Sequence, residues 1–205
     1  MPVTNGYCTV EELRAWMGDT GTILSSDVLE KAINTASRAI DDFCGVGRKF
    51  WLDNTPIARD FRVREPNIAW VYDIGDLTGL KIETDDVGDG SFLTTWSSTD
   101  YDLSPFQEET DKAHTWYRIH AIGRQFPVNS IRRTLRVTAK WGWSAVPDQI
   151  KQATLMKANI LVLRKDSPYG VAGFSEYGVV RLNRSEDPEI TRLIAPFVRS
   201  NVVAI

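Results

Sequence analysis

"TLRVTAKWGWSAVPDQIKQATLMKANILVLRK", residues 134 to 165, changes its hydrophobic period part-way along. Up to Trp141 it alternates. Leu135, Val137, Ala139 and Trp141 share one face, and Arg136, Thr138 and Lys140 the other, as in a half-buried strand. After Gly142-Trp143 the alternation stops. Pro147 suits the first turn of a helix, where a missing amide costs nothing. Val146, Ile150, Ala153, Met156/Lys157, Ile160/Leu161 and Leu163 then recur at helical spacing to about Lys165. Arg164 and Lys165 suit the C-terminal end of its dipole. A strand feeding a long helix puts both element types in the chain, and the order of the flanking segments, helices on either side of a run of strands, reads as α+β.

Upstream lie two helices. Thr9-Val10-Glu11-Glu12 has capping-box spacing, Val10, Leu13 and Trp16/Met17 follow, and Gly18 stops the run. Ser25-Ser26-Asp27 opens a second helix, with an apolar stripe through Val28/Leu29, Ala32/Ile33, Ala36, Ala39/Ile40 and Phe43/Cys44. Glu30, Lys31, Asn34, Arg38 and Asp41 fall on its polar face. Between about 48 and 143 the runs are short, rich in β-branched and aromatic residues, and separated by turn formers: KFWL, ARDFRV, AWVYDI, LKIET, FLTTW, YRIHAI and TLRVTAKW. Downstream, Asp187-Pro188 caps a last helix with Ile190, Leu193 and Ile194 facing inward, ended by Pro196. The expected architecture is a small bundle of about four helices, residues 1–47 and 144–199. A large antiparallel β insertion, residues 48–143, separates helices 2 and 3, and residues 200–205 form an apolar tail.

Composition bounds the chemistry. The 205 residues carry a net charge of −3, so no overall positive field favours tight, sequence-reading DNA binding. Cys8 and Cys44, in stretches read as helical, are expected to be buried free thiols in a reducing cytoplasm. The N-terminus has no basic flank before an apolar run. No stretch approaches the ~20 apolar residues that a membrane span needs.

No constellation reads as catalytic. His114 and His120 lack a helical i,i+4 partner or a nucleophile turn. Counting twelve positions from Asp85 reaches Trp96 rather than a closing Glu, so Asp85–Gly90 reads as a turn and not a calcium loop. Glu65, Asp73, Asp100 and Asp102 in the β unit offer carboxylates for a hydrolase, without informative spacing. Neither a phosphate-binding nor a dinucleotide-binding glycine loop is present. Arg132, Arg133, Arg136 and Lys140 read as the solvated face of a strand, with contact to phosphate or an acidic partner as the alternative. The expectation is a protein that is not an enzyme and takes no cofactor or metal.

The ordered set "TVEELRAWMG", "LEKAINTASRAIDDFCG", "RKF", "VPDQIKQATLMKANILVLRKDSPYG", "GFSEYGVVRL" and "DPEITRLIAPFVR" resembles the head–tail adaptor (connector) proteins of long-tailed bacteriophages. It covers residues 7–50 and 140–199, and the large β unit departs from it. The resemblance implies a helical bundle with an inserted segment, placed in the virion neck after assembly in the host cytoplasm. It implies a ring of this chain, usually twelvefold, between the portal protein and a head-completion (stopper) or tail-terminator protein, with double-stranded DNA passing non-specifically. It also implies that residues 169–182 reach toward the portal.

The residues of that segment agree in kind. Gly170, Gly173 and Gly178 allow a loop to rearrange on docking, and Tyr169, Phe174 and Tyr177 are compact aromatic anchors. Glu176 and Arg181 add charge, and Val179 and Val180 can add a strand to a partner's edge. The other reading is a loop lying over the chain's own core. Val202, Val203, Ala204 and Ile205 are a candidate docking tail. A second function stays open: a tail or baseplate binding module whose β insertion, with Trp51, Trp70, Trp96 and Trp116, recognises a protein or a sugar.

Overall fold

Helix α1, Val10–Met17, starts as its sequence dictates: the Thr9 hydroxyl accepts from the Glu12 amide (3.2 Å) and the Glu12 carboxylate accepts from the Thr9 amide (2.9 Å). Gly18 ends it in the left-handed region, at φ 69°. A computed structural model describes residues 2–19, 24–106, 115–165 and 187–199 in full, and 171–175 and 178–181 by their backbone. The described chain is α+β, with four helices and the large antiparallel sheet inserted between the second and third. It divides into two compact units, Met1–Gly45 with Val146–Arg199, and Val46–Ala145.

In the helical unit, α2 (Ser26–Cys44) buries Leu29, Ala32, Ile33, Ala36, Ile40 and Cys44, each fully buried aliphatic side chain contributing roughly 1.5–3 kcal/mol. Val28, Ala39 and Phe43, expected on the stripe, sit at its margins. Asp41, expected on the polar face, is buried. The cause is the N-terminal segment, which lies along α2 as a strap. Thr4 donates to Asn34 Oδ1 (3.0 Å), the Tyr7 amide to Ser37 Oγ (3.2 Å), and the Tyr7 hydroxyl to Asp41. Cys8 belongs to this strap, not to a helix; both thiols are free and buried.

Helix α3, Asp148–Lys165, begins one residue after Pro147, whose carbonyl accepts from the Lys151 amide (3.0 Å). It packs against α1, α2 and α4 (Pro188–Ile194), so its buried set is Ile150, Ala153, Thr154, Leu155, Ala158 and Val162. That set departs from a single stripe: Leu163 is exposed, and the Thr154 hydroxyl is satisfied by the Ile150 carbonyl. Asp187 caps α4 through the Glu189 amide, and a 3₁₀ turn, Ala195–Phe197, follows.

The β unit comprises β1 (Ile57–Phe61), β2 (Ile68–Thr84), β3 (Thr94–Thr95), β4 (Tyr101–Ser104), β5 (Trp116–Ala121) and β6 (Leu135–Trp141). The order is β1-β6-β2-β5-β4, with β3 on β2. The runs AWVYDI and LKIET are halves of one 17-residue strand, β2. Its first half pairs with β5 and its second with β6, the register shifting around Gly75–Gly79. Glycine and aspartate there build bulges that let one strand change partner. KFWL is not a strand, although Phe50 within it is fully buried.

The sheet bends around one core, with Val71, Ile82, Ile119, Leu135, Val137 and Trp141 at its centre. In β6 the alternation holds at every position. Gly142 then takes φ 108°, and a Cβ there would collide with the Trp51 carbonyl oxygen. Its own amide donates to the Asp73 carbonyl (2.8 Å).

Candidate interaction surfaces

The segment read from sequence as a glycine-rich loop contains two strands. Residues Val171–Ser175 (β7) and Gly178–Arg181 (β8) pair antiparallel, with Phe174 opposite Val179, Ser175 opposite Gly178 and Val171 opposite Arg181. The expectation of a loop is corrected by residue type: Val171, Phe174, Val179 and Val180 carry strand preference on both sides of a two-residue connection. The register shifts between Val171 and Phe174, where Gly173 sits. Gly173, Phe174, Gly178, Val179, Val180 and Arg181 are thus brought into one ribbon. Tyr169, Gly170, Glu176, Tyr177 and the tail Val202–Ile205 lie outside the described residues. Among the described strands these two pair only with each other.

Elsewhere the structure brings together groups that spacing did not. Ser104 on β4 and His120 on β5 are diagonal across the pairing, and Ser104 Oγ lies 2.8 Å from His120 Nε2, with Asp102 directly opposite His120. The distance is that of a nucleophile and its base. Ser104, however, is 1% exposed, which closes it to a substrate, and the His120 ring is covered on one side by Phe106 (5.8 Å). The pair spans the β4–β5 ladder. His114 lies outside the described residues.

Several of the remaining titratable candidates are committed to structure. Burial, above all, pushes the Cys8 thiol up to about 12, removing the thiolate a reactive cysteine needs. For Asp85, burial acts to raise the carboxyl, but the amides of Gly90 (2.7 Å), Gly88 (2.7 Å) and Asp89 (3.3 Å) outweigh it and hold the group below its ordinary value. Loop amides aimed at a carboxylate are the reverse of a cation site. Among the described residues no cluster of His, Cys, Asp and Glu is arranged to hold a metal ion. Asp73 is buried against Arg48 and Thr115, Asp100 accepts from the Ser97 amide (2.8 Å), and Glu65 and Asp102 are exposed. No helix among these residues is long and apolar enough to cross a membrane.

The basic stretch splits in two. Arg136 makes paired contacts with Asp60 across the β1–β6 ladder (2.7 and 3.0 Å) and lies 4.0 Å over Phe92, and Lys140 pairs with Asp76 (2.9 Å). These two are a compensated strand face. Arg132 and Arg133 are exposed and have no such mate among the described residues.

The tryptophans divide as well. Trp96 is core, stacked on Phe126 at 4.3 Å and bonded through Nε1 to Thr84 (3.1 Å). Trp70 is half-buried and stacks on Tyr117 at 6.2 Å, with the Arg118 guanidinium over both rings (5.5 and 5.3 Å) and its Nε without a hydrogen bond. Sequence reading missed this patch because Trp70 and Arg118 become neighbours only through the β2–β5 register.

Solved structures share this fold from end to end. One is a chain of the neck of a native gene transfer agent particle computed with C12 symmetry, at TM-score 0.57 and 16% identity, covering 100% of this chain and 96% of that one. A second, from the neck of the empty particle computed with C6 symmetry, gives 0.56 and 16% with the same coverage. A third, from the virion of the native particle, gives 0.53 and 18%, again with 100% and 96% covered. No family model and no curated protein matches the sequence.

Proposed function

We propose that this chain is a structural protein of the neck of a phage-like particle. It acts as a head–tail adaptor: copies of it form a ring, twelvefold by analogy, that links the portal protein to the head-completion or tail-terminator protein. Double-stranded DNA passes through without being read. The observation that carries this reading is the likeness to neck chains across both units, with nothing of this chain left over and nearly all of the neck chain covered. A likeness limited to the helical bundle would have left the β insertion to serve some other role.

The surfaces agree with such a task. A role carried by contacts agrees with the burial of Ser104, Cys8, Cys44 and Asp73. The β7–β8 ribbon, whose strands pair only with each other among the described strands, is the segment we assign to the portal or an adjacent ring. A closed ring multiplies modest contacts and leaves no free end. The weak net acidity suits a conduit, since each neutralised phosphate adds affinity and would hinder passage.

Particles made without this chain test the reading. DNA-filled heads and separate, complete tails are expected, with no ring beneath the portal in images of the neck. Normally joined particles would overturn it. Within it, Phe174→Ala with Tyr177→Ala should reduce joining while leaving the free protein folded.

The Trp70–Tyr117–Arg118 patch favours a second reading, a binding module of the tail or baseplate. Trp70→Ala with Tyr117→Ala separates the two: lost adsorption to the host with normal particle assembly supports the module, and lost joining supports the adaptor.

A further inference from the structure

Two loops at one end of the β unit carry aliphatic side chains almost wholly in water. Val87 is 85% exposed, Leu93 86% and Ile131 85%. The loops are neighbours: the Asp85 amide donates to the Thr134 carbonyl (2.9 Å), and Gly88 faces the Asn129 side chain. Both are held in shape. Asp85 gathers the amides of Gly88 and Gly90, and Asn129 Oδ1 accepts from the amides of Ile131 (2.9 Å) and Arg132 (2.8 Å). A fixed backbone that presents aliphatic groups to solvent has already met the ordering cost that binding normally exacts. Beside Ile131, the Arg132 and Arg133 guanidinia are exposed and unpaired among the described residues.

The helical unit carries the complement. An open groove of about 590 Å³ has half-buried Val3, Val10 and Val146 in its lining, with Glu11 and Asp148 exposed beside them. Glu12 in the same groove pairs with Lys151, whose charge Asp148 also feels, and Glu11 makes no ion pair among the described residues. One surface is aliphatic with two unpaired cations, and the other is a mixed groove whose carboxylates, Glu11, Glu12, Glu30 and Asp148, outnumber its one cation, Lys151.

We infer that the tip formed by Val87, Leu93, Ile131, Arg132 and Arg133 docks into the acidic groove of the helical unit of a second copy of this chain. The two surfaces are unlike each other, so the contact is head-to-tail, the kind that closes into a ring when the rotation per copy permits. The inference rests on the ring reading above and names the contact that would build it.

The test is self-association, followed by sedimentation velocity up to the highest soluble concentration. It compares the wild type, a tip variant (Leu93→Asp, Ile131→Asp) and a groove variant (Glu11→Lys, Asp148→Lys). All four positions are exposed or at a groove rim, and a milder tip variant, Arg132→Glu with Arg133→Glu, checks that the result does not come from misfolding. The wild type should assemble, and the tip variant should associate about a hundredfold more weakly, roughly tenfold for each aliphatic group withheld from burial. Each variant alone should stay monomeric at the concentrations where the wild type first assembles. Mixed one to one they should stop at dimers, because the mixture holds one intact tip and one intact groove.

A tip variant that assembles like the wild type overturns the inference and leaves the neck reading intact. A weakened tip variant beside an unaffected groove variant also overturns it, since the tip then meets another surface. A wild type that is monomeric at every concentration overturns it too, with the neck reading still decided by the particle test. Tip-dependent sedimentation with phosphatidylglycerol vesicles, without self-association, would mean a lipid occupant and likewise refute it.

Discussion

Asp73→Ala should unfold the β unit at a temperature far below the wild type. Asp73 is 1% and the Arg48 side chain 8% exposed, and one guanidinium nitrogen bonds both carboxylate oxygens at 2.7 and 2.8 Å. The Thr115 hydroxyl donates to the same carboxylate. Arg48 also lies against the rings of Phe50 (5.8 Å) and Trp143 (5.6 Å). Removing the carboxylate leaves a cation among aromatic rings with its main counter-charge gone, which costs about 3–5 kcal/mol. In a unit of about 100 residues each kcal/mol lowers Tm by about 4–8 °C, so a fall of about 12–40 °C is expected. Tryptophan fluorescence reads it selectively, because Trp16 alone of the seven tryptophans lies in the helical unit. Replacing both partners, Arg48→Met with Asp73→Leu, should recover much of the loss, since a packed apolar pair often equals a buried ion pair. A fall of less than about 5 °C for Asp73→Ala, or a double variant as unstable as the single one, would refute the reasoning.

Gly142→Ala meets both a φ of 108° and the Trp51 carbonyl, so a loss of about 3 kcal/mol is expected in urea unfolding. Thr9→Ala removes the α1 cap and should cost about 1 kcal/mol, read from the far-ultraviolet dichroism transition of the helical unit. The Asp41 carboxyl is raised to about 6, chiefly by burial, with the Tyr7 hydrogen bond and the Arg38 charge opposing. Its folded pKa therefore exceeds the unfolded 3.8, and the folded state binds the proton more tightly. The stability this site contributes is fully present below about pH 4 and is lost as pH rises through 6. Asp41→Asn should remove that slope from a plot of Tm against pH between 4 and 7, and an unchanged slope would assign it to other groups.

How much of this was legible beforehand depended on the range of the interaction involved. Thr9 and Glu12 are three residues apart, and the cap they form is local, so it reads directly. The β6 alternation is likewise a property of seven consecutive residues. Asp41 was misread because the strap that buries it, Tyr7 included, lies 34 positions away. Gly75–Gly79 was misread as a gap between strands because the same residue types make turns and bulges. Only the partner strands, β5 on one side and β6 on the other, distinguish the two. The Ser104–His120 pair and the Trp70–Arg118 patch are products of register, which a list of short runs does not contain.

The same distinction separates the arginines that hold the fold from those offered to a partner. Arg48, Arg124 and Arg136 each have a carboxylate within the β unit, at 2.7, 3.4 and 2.7 Å. In sequence, Arg132 and Arg133 are indistinguishable from Arg136, four and three positions away, and the strand alternation even suggested one continuous solvated face. The ladder decides otherwise. Arg136 lies opposite Asp60 on β1, whereas Arg132 and Arg133 precede Leu135, the first residue of the β1–β6 register, and make no ion pair among the described residues. Exposed cations next to aliphatic groups held in water by a fixed loop are what the proposed contact would use. If the tip had no partner, replacing Leu93 and Ile131 by aspartate should improve solubility and alter nothing else; a contact surface predicts the same gain in solubility together with the loss of assembly.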